Sequence, residues 1–245
     1  MSCFKYKITF VILKVFSVAA HYETIYIEDL CSSEGMNVLN LGSDSSNSSG
    51  ILKTSRNSNF LSNKNCSIFL QPPLGYGVIL SVRRLDFRPY YQPTCENYIR
   101  VHENNHEFTL CGYSDDVTEY QSYTSDNGAL QLEFFTEEGT DEGFYSDVTF
   151  TITSYISVNY NCDNKKLFQC LAKRCIWKGL ICDGHNNCGD QSDDSRRYAS
   201  CGKLSSGAIA GITVGSVIFF LLLIIVPFAC FKFGAKYRTE AIPVT

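Results

Sequence analysis

The stretch from Cys182 to Ser195, CDGHNNCGDQSDDS, places four aspartates around two cysteines. Carboxylate and amide oxygens are the ligands that calcium prefers, with about six to eight around each ion. The stretch is therefore a candidate cation site, with a negative pocket for a lysine side chain and a solvated acidic loop as alternatives. His185 and Asn187 stand where further acidic residues would strengthen either kind of site.

Residues 102–106, HENNH, form the only enzyme-like pattern in the sequence. On a helix, H-E-x-x-H presents two imidazoles to one zinc ion and a glutamate as general base. However, β-branched Ile99 and Val101 precede the pattern and Asn104-Asn105 is typical of a turn, so we expect a β-hairpin in which the histidines do not share a helical face. We expect a protein that is not an enzyme and binds neither a nucleic acid nor a small-molecule substrate.

The chain of 245 residues contains 12 cysteines, which is typical of small disulfide-stapled modules in an oxidising compartment. Lys5 and Lys7 precede an apolar stretch that ends in Val18-Ala19-Ala20. This pattern predicts a secretory signal peptide over residues 1–20, with an unprocessed N-terminal segment as the alternative.

A second apolar segment, residues 204–231, carries no charged side chain and exceeds the roughly 20 residues that a helix needs to cross a bilayer core. We predict a transmembrane helix over residues 207–231 and a cytoplasmic tail over residues 232–245. Basic residues begin at Lys232, as is typical of the cytoplasmic side. Together with the signal peptide, this predicts a single-pass type I protein of the cell membrane with its N-terminus outside.

Three glycines, Gly207, Gly211 and Gly215, recur every four residues within the predicted span. This spacing places them on one helix face and allows two helices to approach closely. A lateral dimer and the general frequency of glycine in membrane helices both account for the pattern.

The sequence between the two apolar segments divides at Cys162, because the cysteines are widely spaced before it and crowded after it. We place the junction of two modules near residues 154–161. In the first module, short stretches rich in β-branched and aromatic residues, separated by turn signals, predict a mainly β protein with an antiparallel sandwich. The predicted strands are Ser67–Gln71, Val78–Leu85, Tyr98–His102, Glu107–Leu110, Ala129–Phe135 and Phe144–Thr153.

Residues Ser43 to Gly50, SDSSNSSG, predict a flexible polar loop. The loop contains a glycosylation sequon at Asn47, and a second sequon begins at Asn65, where the middle residue is a cysteine. We expect a glycoprotein.

The first module, residues 31–153, resembles a CUB domain in the order of its motifs. These are Cys31, Cys66, CENYIRV from Cys95, LCG around Cys111, LQLEFF at residues 130–135 and GF at residues 143–144. The resemblance implies that Cys31 pairs with Cys66 and Cys95 with Cys111.

Many CUB domains hold calcium with a glutamate and two aspartates. The matching positions in this chain are Arg88, Asn97 and the Glu137-Glu138 pair. Because two of the three anionic positions are lost, we expect no calcium in the first module.

Residues 162–201 resemble an LDL-receptor class A repeat, a small module with three disulfides and one calcium ion. FQC, CI, CDG and SDD follow one another in the order and spacing of that class. Spacing alone leaves the connectivity of the six cysteines open, whereas the resemblance implies three pairs. They are Cys162 with Cys175, Cys170 with Cys188, and Cys182 with Cys201.

By the same resemblance, one structural calcium ion is expected in this module. Its ligands would be the side chains of Asp183, Asn187, Asp193 and Asp194 and the backbone carbonyls of Leu180 and His185. Asn187 replaces the usual aspartate and Asp194 the usual glutamate, so oxygen ligands remain but one charge is lost and the affinity should fall.

Uptake receptors of this class surround a ligand lysine with an exposed tryptophan and three aspartates. At the matching positions, 180, 183, 185 and 187, this chain retains only Asp183. Trp177 lies three residues too early to replace the tryptophan without a rearranged loop. We therefore expect a cage that supports folding and not a ligand trap.

Charge also separates the two modules, because residues 31–153 hold 7 basic and 16 acidic residues and residues 162–201 hold 7 basic and 5 acidic residues. A cationic partner would be steered to the first module. The short connection after Cys201 places the second module near the membrane and favours a protein partner in the same membrane.

The layout resembles the neuropilin- and tolloid-like auxiliary proteins, although these carry two CUB modules. Our leading hypothesis is an auxiliary or co-receptor subunit that binds its partner through its extracellular modules. The alternative is a ligand-uptake or adhesion receptor of the LDL-receptor type.

Overall fold

The computed structural model of the protein describes residues 22–32, 36–43, 45–57, 62–88, 95–114, 121–126, 128–138, 145–157, 162, 165–202, 214–216, 219 and 221. The predicted signal peptide and cytoplasmic tail and most of the predicted membrane span lie outside these residues. The described residues up to Cys201 belong to one compact unit, and those that follow belong to a second.

The first part of the larger unit is a β-sandwich with one short helix, α1 (Ile27–Leu30). Its strands are β1 Glu23–Tyr26, β2 Met36–Asn40, β3 Ser49–Lys53, β4 Lys64–Gln71, β5 Gly77–Arg88, β6 Tyr98–Glu103, β7 His106–Leu110, β8 Tyr113–Ser114, β9 Ser122–Ser125, β10 Leu130–Thr136, β11 Tyr145–Ser146 and β12 Thr149–Ser157. A 3-10 turn, Ser46–Ser48, precedes β3.

One sheet has the strand order β2-β4-β10-β6-β7, and the other includes the order β1-β3-β12. In the second sheet, β5 pairs with β12 and also with β8, β9 and β11. The pairs β1 with β3 and β2 with β4 are parallel. The other pairs are antiparallel, as the sequence predicts.

The core between the sheets is built from alternate residues of the central strands, because successive side chains of a strand point to opposite faces. Along β10, Leu130, Leu132 and Phe134 are buried, and the residues between them are partly exposed. On β5, Leu80 joins this core, whereas Ile79 belongs to a separate buried cluster that includes residues of the second module.

All six predicted strand regions contain strands, and the structure adds β1, β2, β3, β8 and β9. Strand β3 overlaps the predicted flexible loop of residues 43–50. Ser48 and Ser49 are buried, and Ser49 bonds to both modules. The prediction of a flexible loop was therefore wrong for this part of the segment.

The second module contains a short hairpin, β13 (Leu167–Gln169) and β14 (Arg174–Trp177), and two 3-10 turns, Lys178–Leu180 and Ser192–Asp194. Strand β14 also pairs with the end of β12, at Ile156 with Cys175 and Ser157 with Arg174. The predicted junction at residues 154–161 thus begins inside a strand that pairs with strands of both modules.

A small hydrophobic cluster joins the two modules. Ile79 and Tyr155 of the sandwich pack with Cys170, Ile176, Leu180 and Cys188, and Tyr22, Phe168 and Trp177 pack at its border. Burial of apolar surface on both sides favours a fixed arrangement of the modules over independent motion.

Of the second unit, the structure describes Gly202, residues 214–216, 219 and 221. Within the described part of the chain, none of the helices has the length and apolar character needed to cross a membrane. Gly215 lies in a helical segment with open space around the position of a Cβ atom, and Gly207 and Gly211 lie outside the described residues.

Candidate metal centre at the module interface

Five disulfides frame the two modules, and they pair the cysteines as the two resemblances imply. The sandwich contains Cys31–Cys66 and Cys95–Cys111, and the second module contains Cys162–Cys175, Cys170–Cys188 and Cys182–Cys201. A module of this size has too little apolar surface for a large core, so these bridges hold the aspartate-rich loop in shape.

The loop brings three of the predicted ligands together around one atom, the amide nitrogen Nδ2 of Asn187. This nitrogen lies 3.2 Å from the carbonyl oxygen of Leu180, 3.0 Å from that of His185, and 3.3 and 3.2 Å from the two carboxylate oxygens of Asp183. Three of the six predicted ligands therefore converge, with an N–H donor at the point where their oxygens meet. The amide oxygen predicted as the ligand atom of Asn187 points away from them.

The other end of the Asn187 amide reaches the sandwich. Its oxygen Oδ1 accepts hydrogen bonds from Ser49 Oγ at 2.8 Å and from Thr153 Oγ1 at 3.0 Å. The Asn187 side chain is fully buried. One amide thus links the aspartate-rich loop to β3 and β12.

The two remaining predicted ligands, Asp193 and Asp194, follow in a 3-10 turn. Asp193 is fully buried, and its Oδ2 accepts the backbone N–H of Asn187 at 2.8 Å. Its Oδ1 has no hydrogen-bond partner among the described residues. Asp194 Oδ1 accepts the backbone N–H of Gly184 at 3.0 Å.

Burial sets the electrostatics of this centre. It raises the pKa of Asp193 to about 7 and also raises the pKa of Asp183. The pKa of the His185 imidazole is lowered, first by burial and then by the charge of Arg83. The negative charge of Asp194 adds to both shifts. Because a buried carboxylate is costly to ionise without a compensating charge, a bound cation would stabilise both groups.

These residues fit a calcium ion. Asp183, Asp193 and Asp194 supply hard carboxylate oxygens and Leu180 and His185 supply carbonyl oxygens, which match calcium's preference. The buried Asp193 Oδ1, which has no hydrogen-bond partner in the described part of the chain, is an oxygen that a cation would satisfy. When bound, the ion would supply charge neutralisation to the loop.

A second acidic group in the same loop does not add a metal site. Asp190 and Asp193 lie close to the sulfur of Cys188, but this sulfur is bonded to Cys170. A disulfide sulfur is not a thiolate ligand. Asp190 instead accepts the backbone N–H of Ala172 and that of Ser192, at 2.7 and 2.9 Å.

Tyr22 is a residue of this centre that the sequence analysis missed. Its hydroxyl donates to Asp183 Oδ2 and accepts an N–H of Asn187 at 2.8 Å. Its ring meets the His185 imidazole edge-on, with centroids 4.4 Å apart, and burial raises the pKa of its phenol. Because Tyr22 precedes β1 and is distant in sequence, no local motif marks it.

The face that would capture a lysine is covered by the sandwich. Leu180 and Asn187 are fully buried, and Asp183 and His185 are partly buried. Trp177 packs at the edge of the hydrophobic cluster between the modules and over Gly179, where a Cβ would lie 2.4 Å from the indole ring. It is therefore not placed to hold a ligand lysine.

The H-E-x-x-H pattern forms a hairpin, as predicted. In the pairing of β6 with β7, His102 lies opposite Glu107 and Glu103 lies opposite His106. The two histidines thus project from opposite faces of the strand pair. Glu103 accepts hydrogen bonds from the backbone and hydroxyl of Thr124, so the three residues form no common zinc site.

The remaining predicted positions lie on the sandwich. Asn97, a position matched to the calcium ligands of CUB domains, is buried and accepts the backbone N–H of Glu137 at 3.0 Å. The side chain of Arg88 lies outside the described residues. Both sequon asparagines, Asn47 and Asn65, are exposed.

Residues 160–201 match the protein family described as low-density lipoprotein receptor domain class A. The second module therefore belongs to this class of domain, a class in which calcium binding is expected. The chain therefore joins a mainly β module, the sandwich, to a disulfide-rich module of an extracellular type. No curated protein sequence matches the chain significantly.

CUB-domain structures are among its structural neighbours. The full extracellular region of zebrafish Gpr126/Adgrg6 is 13% identical over 47% of this chain and 14% of that chain, with a TM-score of 0.38. The CUB1-EGF-CUB2 domain of human MASP-1/3 is 15% identical over 52% of this chain and 50% of that chain, with a TM-score of 0.40. The MASP-1 CUB2 domain bound to Ca2+ is 13% identical over 46% of this chain and 96% of that chain, with a TM-score of 0.36.

Proposed function

We propose that this protein is a non-enzymatic, single-pass type I membrane protein whose ectodomain binds a protein partner in the same membrane, as an auxiliary or co-receptor subunit. In this proposal residues 207–231 span the membrane and residues 1–20 direct secretion. One structural calcium ion is held by Asp183, Asp193, Asp194 and the carbonyls of Leu180 and His185.

One observation favours a protein partner in the same membrane over a captured soluble ligand. On the face of the class A module that includes Asp183 and His185, Leu180 and Asn187 are fully buried, and Asn187 bonds to Ser49 and Thr153 of the sandwich. A soluble cationic ligand has no access to this face without separation of the modules. Partner binding is therefore assigned to the sandwich, which also carries the acidic excess of the ectodomain.

A surface with the composition of an interface lies on the outer face of the five-stranded sheet. Tyr98 and Phe135 stack with centroids 5.2 Å apart, and the Arg100 guanidinium lies 4.7 Å from the centre of the Tyr98 ring. Arg100 also bonds Glu133 at 2.9 Å. Tyrosine, phenylalanine and arginine are enriched at protein interfaces, and side chains that neighbours already hold lose less freedom on binding.

Proximity labelling tests this assignment. A biotin ligase fused after Thr245 in the full chain should label a reproducible set of integral membrane proteins. Arg100→Ala should reduce that labelling by at least roughly five-fold, the effect of an interface residue worth about 1 kcal/mol. Arg56→Ala is the matched control, because Arg56 lies 4.6 Å from the centre of the Tyr26 ring and pairs with carboxylates at another site.

Two results would contradict the proposal. Equal labelling by the Arg100→Ala and Arg56→Ala variants would show that the partner does not bind this sheet face. Rapid constitutive uptake of a soluble ligand by cells that display the full chain would instead support an uptake receptor of the LDL-receptor type.

A further inference from the structure

We propose that the amide of Asn187 takes the place of the cation when calcium is absent, so that the class A module stays folded and docked on the sandwich without metal. Calcium then adds stability to a structure that already exists. The inference goes beyond the proposed function and concerns how the ectodomain keeps its shape when calcium is low.

The surroundings of Asn187 Nδ2 carry this inference. Five oxygens lie between 2.8 and 3.3 Å from the nitrogen. They belong to four residues: Tyr22, Leu180, Asp183 and His185. A donor enclosed by oxygens in this way neutralises part of their mutual repulsion, which is the electrostatic role of a bound cation.

The chemistry of these neighbours fixes the orientation of the amide. The carbonyls of Leu180 and His185 and the ionised carboxylate of Asp183 only accept hydrogen bonds, so the nitrogen end must face them. The hydroxyls of Ser49 and Thr153 donate as well as accept, and they meet the oxygen end. Both ends of a fully buried amide are thereby satisfied by protein groups alone.

An aspartate at position 187 would not have this property. Its second carboxylate oxygen would face the carbonyls of Leu180 and His185 and the Asp183 carboxylate, and the Tyr22 hydroxyl has a single proton for the two carboxylates. A buried charge that faces other oxygens is strongly unfavourable unless a cation compensates it. Asparagine at this position is therefore what removes the need for metal.

Calcium is expected to bind this site weakly. An ion at the point where the oxygens converge would have to displace the amide nitrogen that already bonds to them. The gain in stability that calcium gives the native chain is then the difference between two arrangements, one in which the oxygens bond to the Asn187 amide and one in which they bind the ion. Because the oxygens have partners in both, the gain should be small. With aspartate in place, the same gain should be large.

The single tryptophan of the chain gives a local readout in the intact protein. Trp177 lies in β14 and packs at the edge of the hydrophobic cluster between the modules. Its fluorescence in the purified full chain should therefore report thermal unfolding of the class A module. The test compares the native chain, Asn187→Asp and Asn186→Asp, all purified in calcium and then measured in excess calcium or in EGTA.

For the native chain, the midpoint of the Trp177 transition should fall by no more than about 3 °C in EGTA. For Asn187→Asp it should fall by roughly 10 °C, the order expected for several lost interactions in a chain of this length. Asn186→Asp makes the same change in charge at the neighbouring position, where Oδ1 accepts the backbone N–H of Gln191 at 2.9 Å. It should behave like the native chain.

The native chain in EGTA decides the proposal even if Asn187→Asp fails to fold. Loss of the Trp177 transition in that sample, or a fall of about 10 °C or more, would overturn it. So would an Asn187→Asp variant that folds and responds to EGTA no more than the native chain.

Discussion

Thr153 in the sandwich donates a hydrogen bond from Oγ1 to Oδ1 of Asn187 in the class A module, over 3.0 Å, and both residues are fully buried. The bond connects the central strand β12 to the loop that carries the candidate calcium ligands. The face of the module that carries Leu180 and Asn187 thus packs against the sandwich. The candidate calcium ligands and the contact between the modules are therefore physically linked.

Removal of the Thr153 hydroxyl should loosen this link. Thr153→Val keeps the shape of the side chain but leaves Asn187 Oδ1 with Ser49 as its one remaining donor among the described residues. We expect a loss of about 1 kcal/mol in the free energy of unfolding, or about 2–4 °C in the midpoint followed by Trp177 fluorescence. Thr153→Ser keeps the hydroxyl and is the control. Equal midpoints for the valine and serine variants would show that the bond contributes nothing.

Calcium should raise the Trp177 midpoint of the native chain by a few degrees through preferential binding to the folded state. Asp193→Asn should abolish this rise, because it removes the charge of a buried carboxylate whose Oδ1 has no hydrogen-bond partner among the described residues. Asp190→Asn, at a carboxylate outside the proposed ligand set, should keep it. A calcium response that survives Asp193→Asn would place the ion elsewhere.

The hydrophobic alternation of β10 and β5 and the order of the cysteines are local signals, and they predicted the sandwich and the class A module. Short β3 was missed because Ser49 and Gly50 resemble a polar loop. Ser49 is buried between β12 and the second module, and Gly50 packs against Glu23, Ile25 and Ile152 of neighbouring strands, so their burial is a long-range effect. Tyr22 was missed for the same reason.

The candidate site was likewise predicted only in part from the sequence. The resemblance to an LDL-receptor class A repeat implied Asp183, Asp193 and Asp194 as ligands, and Asn187 as a weaker ligand through its amide oxygen. The structure instead turns the nitrogen of Asn187 toward the loop and its oxygen toward Ser49 and Thr153. That orientation depends on two hydroxyls from β3 and β12, so no property of the loop sequence alone specifies it.

Asn47 and Asn65 should each carry an N-linked glycan when the chain is expressed in a secretory pathway. Both side chains are exposed, and each begins an Asn-x-Ser sequon. Asn47→Gln and Asn65→Gln should each remove one discrete step in electrophoretic mobility, and enzymatic deglycosylation should abolish the difference. Asn40→Gln, at an exposed asparagine outside a sequon, should leave the mobility unchanged. An unchanged native mobility after deglycosylation would rule out occupancy.

A side chain at Gly189 is expected to crowd the contact between the two modules. This residue has φ +79°, and an added Cβ would lie 3.0 Å from Ser122 Oγ and 3.1 Å from Ile79 Cγ2 in the sandwich. Gly75 has a similar φ of +82°, but a Cβ there would meet nothing within 4 Å. Comparison of Gly189 with Gly75 therefore separates the effect of backbone strain from the effect of contact between the modules.

Gly75→Ala should cost about 1–2 kcal/mol, because a Cβ is unfavourable at positive φ. Gly189→Ala should cost a further 1–3 kcal/mol, roughly, from overpacking against Ile79 and Ser122. The extra loss should appear in the Trp177 transition, which lies in the affected module, when both variants are unfolded by urea. Equal losses of stability in the two variants would show that the contact at Gly189 does not hold the class A module against the sandwich.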